Sequence, residues 1–162
     1  MEISGLAIGD DERTAAELAE NLRYARVLSA ELMNTRLVVP VDDQVVRRLA
    51  ECAVAFRTRG APDGGTTIAL EFSSGSGLRG VAESRALIEA AGEAGVGVTI
   101  DTWHFFTHPE GPDWAAVEAL PLSLLANLQV SDGVPHAPGG FWEATMNQRR
   151  LPGEGGFDLP RL

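Results

Sequence analysis

The stretch VGVTIDTWHFF, residues Val96 to Phe106, runs from five residues that read as a buried strand directly into Asp101, and His104 follows three positions later. A charged side chain where an apolar strand ends needs a physical reason. Working outward, the pattern repeats on both sides. Upstream, TTIALEF (66–72) reads as a strand that reaches Glu71, and downstream LLANLQV (124–130) reaches Gln129. Between them, after the loop SSGSGLRG, the run from about Val81 to Ala94 predicts a helix, and Trp114 to Leu120 predicts a shorter one.

The N-terminal part alternates in the same way. ISGLAIG (3–9) is a short apolar piece, and from Thr14 to Met33 the residues Ala15, Leu18, Leu22, Ala25, Leu28 and Leu32 recur at helical spacing. TRLVVP (35–40) is a β-branched run closed by proline. Asp42 or Asp43 is placed to cap the next helix, in which Val45, Leu49, Cys52 and Phe56 share a face, so Cys52 is expected in the core. RGAPDGG breaks the chain before the strand at Thr67. Beyond Asp132 glycine and proline dominate, with a helical turn expected around Phe141 to Asn147. Apolar strands each followed by a helix predict a parallel sheet covered by helices, an α/β class. A doubly wound sheet and a (β/α) barrel both satisfy that alternation.

Composition narrows the function. The 162 residues carry 23 acidic against 13 basic side chains, all of the latter arginine, for a formal net charge of -10. Nucleic-acid affinity rests on neutralising phosphates, so no nucleic-acid partner is expected. The lone Cys52 makes no internal disulfide, and no Cys/His cluster points to a structural zinc site. Apolar runs fall far short of the roughly 20 residues that cross a bilayer, and no leader pattern opens the chain; no membrane association and a cytoplasmic location are expected.

Three successive strands end alike, on Glu71, Asp101 and Gln129. In a barrel of parallel strands the carboxyl ends converge on one mouth. Two carboxylates and an amide oxygen meeting there repel unless a proton or cation lies between them. Oxygen donors of this kind suit magnesium or manganese better than zinc. The charge of Asp101 is thereby accounted for as that of a metal ligand. Taken singly, a carboxylate at a strand end is equally well a solvated loop residue or a helix cap, and a single histidine is more often packed than catalytic. His108 and His136, beside prolines, carry no specific signal.

In their order and spacing, IALEF, VGVTIDTWHFF, LANLQVSDG and RRLPGEGGFDL resemble the sugar phosphate isomerase/epimerase family of xylose isomerase-like (β/α)8 TIM barrels, a superfamily that also contains AP endonucleases of the endonuclease IV type. The resemblance spans Thr67 to Leu159, while residues 1 to 66 match only as elements of the expected length. It implies that Glu71 is a metal ligand which also moves a proton at the carbon beside a carbonyl. It implies that Asp101 is a ligand, that His104 contacts substrate oxygens, and that Gln129 stands where the family often has a histidine ligand. Asp132 matches the acidic residue that follows in that strand's motif. Arg149 matches an arginine that reaches toward substrate hydroxyls or phosphate, although Arg150 beside it serves the pattern equally.

Counting Glu71 as the end of the fifth strand makes TRLVVP the fourth and ISGLAIG the third. The expectation is therefore a single domain over residues 1–162 that forms an incomplete barrel, about strands 3 to 7, without the eighth strand and its further glutamate. An open parallel sheet leaves unpaired edges, so association with a second copy or with the remaining barrel half is expected. The resemblance implies a divalent-metal-dependent sugar isomerase or epimerase acting on a ketose or inositol-like ketone. The alternatives are a noncatalytic or truncated family member and an AP endonuclease-like phosphodiesterase.

Overall fold

Every strand expected from the sequence forms, and all join one sheet. The computed structural model describes residues 1–9, 11–92, 94–135 and 140–162; His136 lies outside them. Strands β1 (Glu2–Ile8), β2 (Leu32–Leu37), β3 (Thr67–Glu71), β4 (Val96–Asp101) and β5 (Leu125–Gln129) are parallel and lie side by side in chain order. Helices α1 (Asp11–Leu28), α2 (Asp43–Arg59) and α3 (Val81–Ala91) are the crossovers between them. The short helices α4 (Thr102–Phe106), α5 (Trp114–Glu118) and α6 (Phe141–Asn147) belong to the segments that follow β4 and β5. This is the (β/α) barrel arrangement in partial form.

Two boundaries depart from the periodicity. The helix expected to run to Met33 stops at Leu28, because Ser29 adopts a left-handed φ of 49° and Ala30 donates back to the Ala25 carbonyl at 2.9 Å. Leu32 falls at helical spacing from Leu28 by coincidence and opens β2 instead. The same shift moves the strand read from TRLVVP three residues toward the N-terminus. Asp42 rather than Asp43 caps α2, accepting from the Val45 N–H at 2.8 Å.

Alternation sorts each strand into two faces. Met33, Leu37, Ile68, Leu70, Val98 and Ile100 point to the helices and form one core with Leu49, Cys52, Phe56 and Leu87. Cys52 is buried there as expected, and burial pushes its thiol up to about 11, which leaves it unreactive at neutral pH.

The other face is polar. Closed barrels fill this side with layers of branched apolar side chains, yet here Asn34, Glu71, Thr99, Asp101, Asn127 and Gln129 occupy it. Glu2 of β1 accepts from Asn127 Nδ2 at 3.0 Å and from Gln129 Nε2 at 2.9 Å. The two edge strands thus curl to within side-chain reach of each other across the concave face. A polar concave face needs no apolar cover, which reconciles an unclosed barrel with an ordinary hydrophobic core on the helix side.

Candidate active site and metal centre

The site is assembled at the carboxyl ends of β3 and β4. Asp101 ends β4 and caps α4 at once, its Oδ1 accepting from the Trp103 N–H at 2.9 Å. Because α4 starts immediately, His104 comes up one turn later on the same side, and its Nε2 lies 3.7 Å from Asp101 Oδ2 and 3.5 Å from Glu71 Oε1. Ligand atoms of Glu71, Asp101 and His104 all lie within 4.8 Å of one another. His104 stacks on Phe141 of α6 with ring centroids 6.0 Å apart. Its Nδ1 is buried without a hydrogen-bond partner among the described residues.

A metal-bound histidine almost always gives its second N–H to an acceptor. Among the described residues Nδ1 has no such acceptor, whereas Nε2 faces the carboxylates of Glu71 and Asp101.

Glu71 is supported from below. Asn34 Nδ2 donates to Glu71 Oε2 at 2.6 Å, and Thr99 Oγ1 donates to Asn34 Oδ1 at 3.0 Å, so one polar chain crosses β4, β2 and β3. Burial pushes the Glu71 carboxyl up, but hydrogen bonds from His104 and Asn34 and the charges of His104 and Arg149 outweigh it and hold the group below its ordinary value. Glu71 is therefore ionised at neutral pH. With its folded value depressed, the stability it contributes is present above its unfolded pKa and is lost as pH falls through the folded one. In the metal-free chain, Asn34→Leu is expected to raise the pH at which Glu71 titrates, read as a shift in its carboxyl carbon resonance. An unmoved titration would show that the Asn34 contact does not hold the charge.

Arg149 closes the other side. Its Nη1 and Nη2 donate to Asp101 Oδ1 and Oδ2 at 3.0 and 2.8 Å, a two-point pairing, and its guanidinium lies 5.5 Å from the centroid of the Trp103 ring. Arg150 turns away and donates to the Glu154 carbonyl. Geometry thus separates two arginines that the sequence left equivalent. Gln129 is level with Asp101 in the β4–β5 register, and its amide nitrogen is held by Glu2. Asp132 is not among the converging groups; it anchors the loop after α6. His108 Nδ1 accepts from the Glu110 N–H.

Residues 5–162 match the protein-family model described as xylose isomerase-like TIM barrel. The chain belongs to that family. Three solved structures place the xylose isomerase-like chain among its relatives. A xylose isomerase-like TIM barrel/4-hydroxyphenylpyruvate dioxygenase fusion protein superposes with a TM-score of 0.81 at 19% identity, covering 98% of this chain and 26% of that one. The IOLI protein, solved with a bound zinc atom, gives 0.81 at 17% identity over 99% of this chain and 60% of that one. D-psicose 3-epimerase, solved in the presence of D-fructose, gives 0.62 at 22% identity over 94% and 52%. The chain therefore spans between 26% and 60% of the length of these relatives. Likeness at such identities establishes the fold. No curated protein matches the chain. Among the described residues, no helix of the xylose isomerase-like domain is long and apolar enough to cross a membrane.

Asn34, Thr99 and Phe141 are site residues that sequence reasoning missed. Asn34 falls between the helix expected to Met33 and the strand expected from Thr35, and it belongs to β2 because that strand opens at Leu32. Phe141 had none, since only the fold brings α6 onto His104.

Proposed function

We propose that this chain carries the metal-binding and proton-transfer face of a sugar isomerase or epimerase, acting beside the carbonyl of a ketose or inositol-like ketone. The convergence of Glu71, Asp101 and His104 at one barrel mouth is the observation that supports it. Two carboxylates brought this close fit a divalent cation, and their hard oxygens favour manganese or magnesium. Glu71 and Asp101 would hold the ion, with the Gln129 side-chain oxygen as third donor. Such an ion supplies charge that polarises the substrate carbonyl and acidifies the neighbouring C–H.

The chain's own groups do the rest. Glu71, kept charged, accepts the proton from carbon as general base. His104 donates from Nε2 to the oxygen on which charge develops, and the stacked Phe141 holds the ring plane. Arg149, locked to Asp101, fixes that carboxylate and keeps a positive charge beside the reacting oxygens. The acidic surface and the absence of further histidines among the described site residues count against a phosphodiesterase acting on DNA.

Calorimetric titration with manganese, magnesium and zinc tests the reading; zinc serves as comparator because the IOLI structure contains it. One tight site per chain is expected. Asp101→Asn should weaken it by about 10- to 100-fold, since a charged ligand is lost. His104→Asn should lower turnover more than metal affinity, because its partner is a substrate oxygen. No binding by the intact chain, or affinity that collapses with His104→Asn, would overturn this assignment of roles.

A further inference from the structure

On the same concave face, one turn of the pleat beyond Asn34, β2 presents Arg36. It pairs in register with Glu71, so the two side chains stand on the same side of adjacent strands. Arg36 is exposed, and no hydrogen bond or ion pair holds its guanidinium among the described residues, although its charge is felt at Glu17 of α1. Beside it the β1–β2 register slips between Ser4 and Leu6, and a cavity of about 130 Å³ lies there with Ser4, Asn34, Arg36 and Glu71 among the residues that line it. At about 30 Å³ of liquid volume per water, that space takes a few waters or one tetrahedral or planar oxyanion. Most arginines elsewhere on this chain have a partner, for instance Arg13 with Glu17, Arg85 with Glu89 and Arg149 with Asp101. An arginine without such a partner among the described residues, lining a cavity that Glu71 also lines, is a different kind of feature.

We infer that Arg36 is a specificity-determining residue: with Ser4 it forms a subsite for an anionic group, a phosphate ester or a carboxylate, on the ketose that the site turns over. The inference rests on the proposed function for its substrate and goes beyond it in assigning charge. The electrostatics agree. With a divalent ion in place, its charge together with that of Arg149 formally balances the acidic side chains of Glu71, Asp101 and Glu2. Arg36 then makes the mouth positive, even though the whole chain is strongly acidic. Glu71 does not repel the anion unopposed, because Asn34 and His104 tie its carboxylate. Arginine binds either oxyanion with two parallel N–H donors, which a neutral hydroxyl does not exploit.

The test compares D-fructose, D-fructose 6-phosphate and D-fructuronate as substrates for solvent deuterium exchange by the manganese-loaded chain. In parallel, inorganic phosphate binding is measured by calorimetry on the same chain and on Arg36→Gln and Arg36→Lys. At least one anionic ketose should show a KM about tenfold or more below that of D-fructose, and which one it is identifies the anion. Arg36→Gln should collapse that ratio toward one and weaken phosphate binding by about tenfold, while Arg36→Lys retains part of both. Equal KM values in the intact chain, or a ratio that Arg36→Gln leaves in place, overturn the inference. Exchange with none of the three ketoses would defeat the proposed function, and the phosphate arm then decides for Arg36: equal affinity in the intact chain and Arg36→Gln overturns it, and a drop in Arg36→Gln supports it.

Discussion

Glu71→Gln is expected to abolish proton exchange at the carbon beside the carbonyl while the chain stays folded. The substitution keeps shape and length, and the glutamine oxygen still accepts from Asn34 Nδ2, now 2.6 Å from Glu71 Oε2. The new amide group faces His104 Nε2, which accepts from it only if the ring proton moves to Nδ1, where it has no acceptor among the described residues. That one stranded donor costs about 1–3 kcal/mol, so the melting temperature should fall modestly while the chain stays folded. The base, however, is gone, and a positioned general base contributes about 10²- to 10⁴-fold. One negative charge is also withdrawn from the ion. Exchange should therefore fall by about a thousandfold or more, with manganese affinity lowered as well. Deuterium uptake from solvent into a ketose, followed by NMR, reads the single step that needs one base and no second acid. Uptake that survives Glu71→Gln at more than a tenth of the original rate would name another residue as the base.

How far the site could be read in advance follows from how local each part of it is. Asp101 and His104 sit in one uninterrupted stretch, so the end of β4 and the first turn of α4 were enough to bring them together. Glu71 joined them through the parallel register of neighbouring strands, which alternation predicts. Asn34 was hidden because the α1 periodicity ran on through Leu32 and Met33, whereas Arg36 fell within the expected strand TRLVVP and only the register shows that it shares a side with Glu71; the left-handed Ser29 that ends the helix carries no strong sequence signal, being neither glycine nor asparagine. The choice between Arg149 and Arg150 required tertiary structure. Arg150 forms an antiparallel bridge with Asp132, its N–H and carbonyl both paired with that residue, and in extended backbone adjacent side chains point to opposite sides. Arg149 is thereby directed at Asp101.

That bridge makes Asp132 the anchor of the arginine, and Asp132→Ala is expected to be the most destabilising of the substitutions considered. The side chain is 2% exposed, and its carboxylate accepts from the backbone N–H groups of Gly133 at 2.7 Å, Gly153 at 2.9 Å and Phe157 at 3.0 Å. The segment PGEGGF is wrapped around it, closely enough that a Cβ on Gly155 would lie 2.1 Å from Asp132 Oδ1 and 2.4 Å from the Gly133 backbone. Burial pushes this carboxyl up, but the hydrogen bonds from Phe157, Gly133, Gly155 and Gly153 prevail and hold it below the usual carboxylate range. Removing the carboxylate strands several backbone donors in a closed loop, at about 1–3 kcal/mol for each one left buried, so a loss of about 3 kcal/mol or more is expected. Gly155→Ala should do comparable damage by a different route, because no rotamer relieves contact with a backbone atom. Phe157 packs on Phe106 and Trp103, so the loosened loop also uncovers the far side of the site. Since the folded pKa is depressed, the contribution of Asp132 is fully present above its unfolded value and disappears only as pH falls through the folded one. Chemical denaturation of the intact chain and of Asp132→Ala should accordingly differ most near neutral pH and converge in strong acid. A difference that persists unchanged into acid would show that the loop is held by packing of Phe157 and not by the charge.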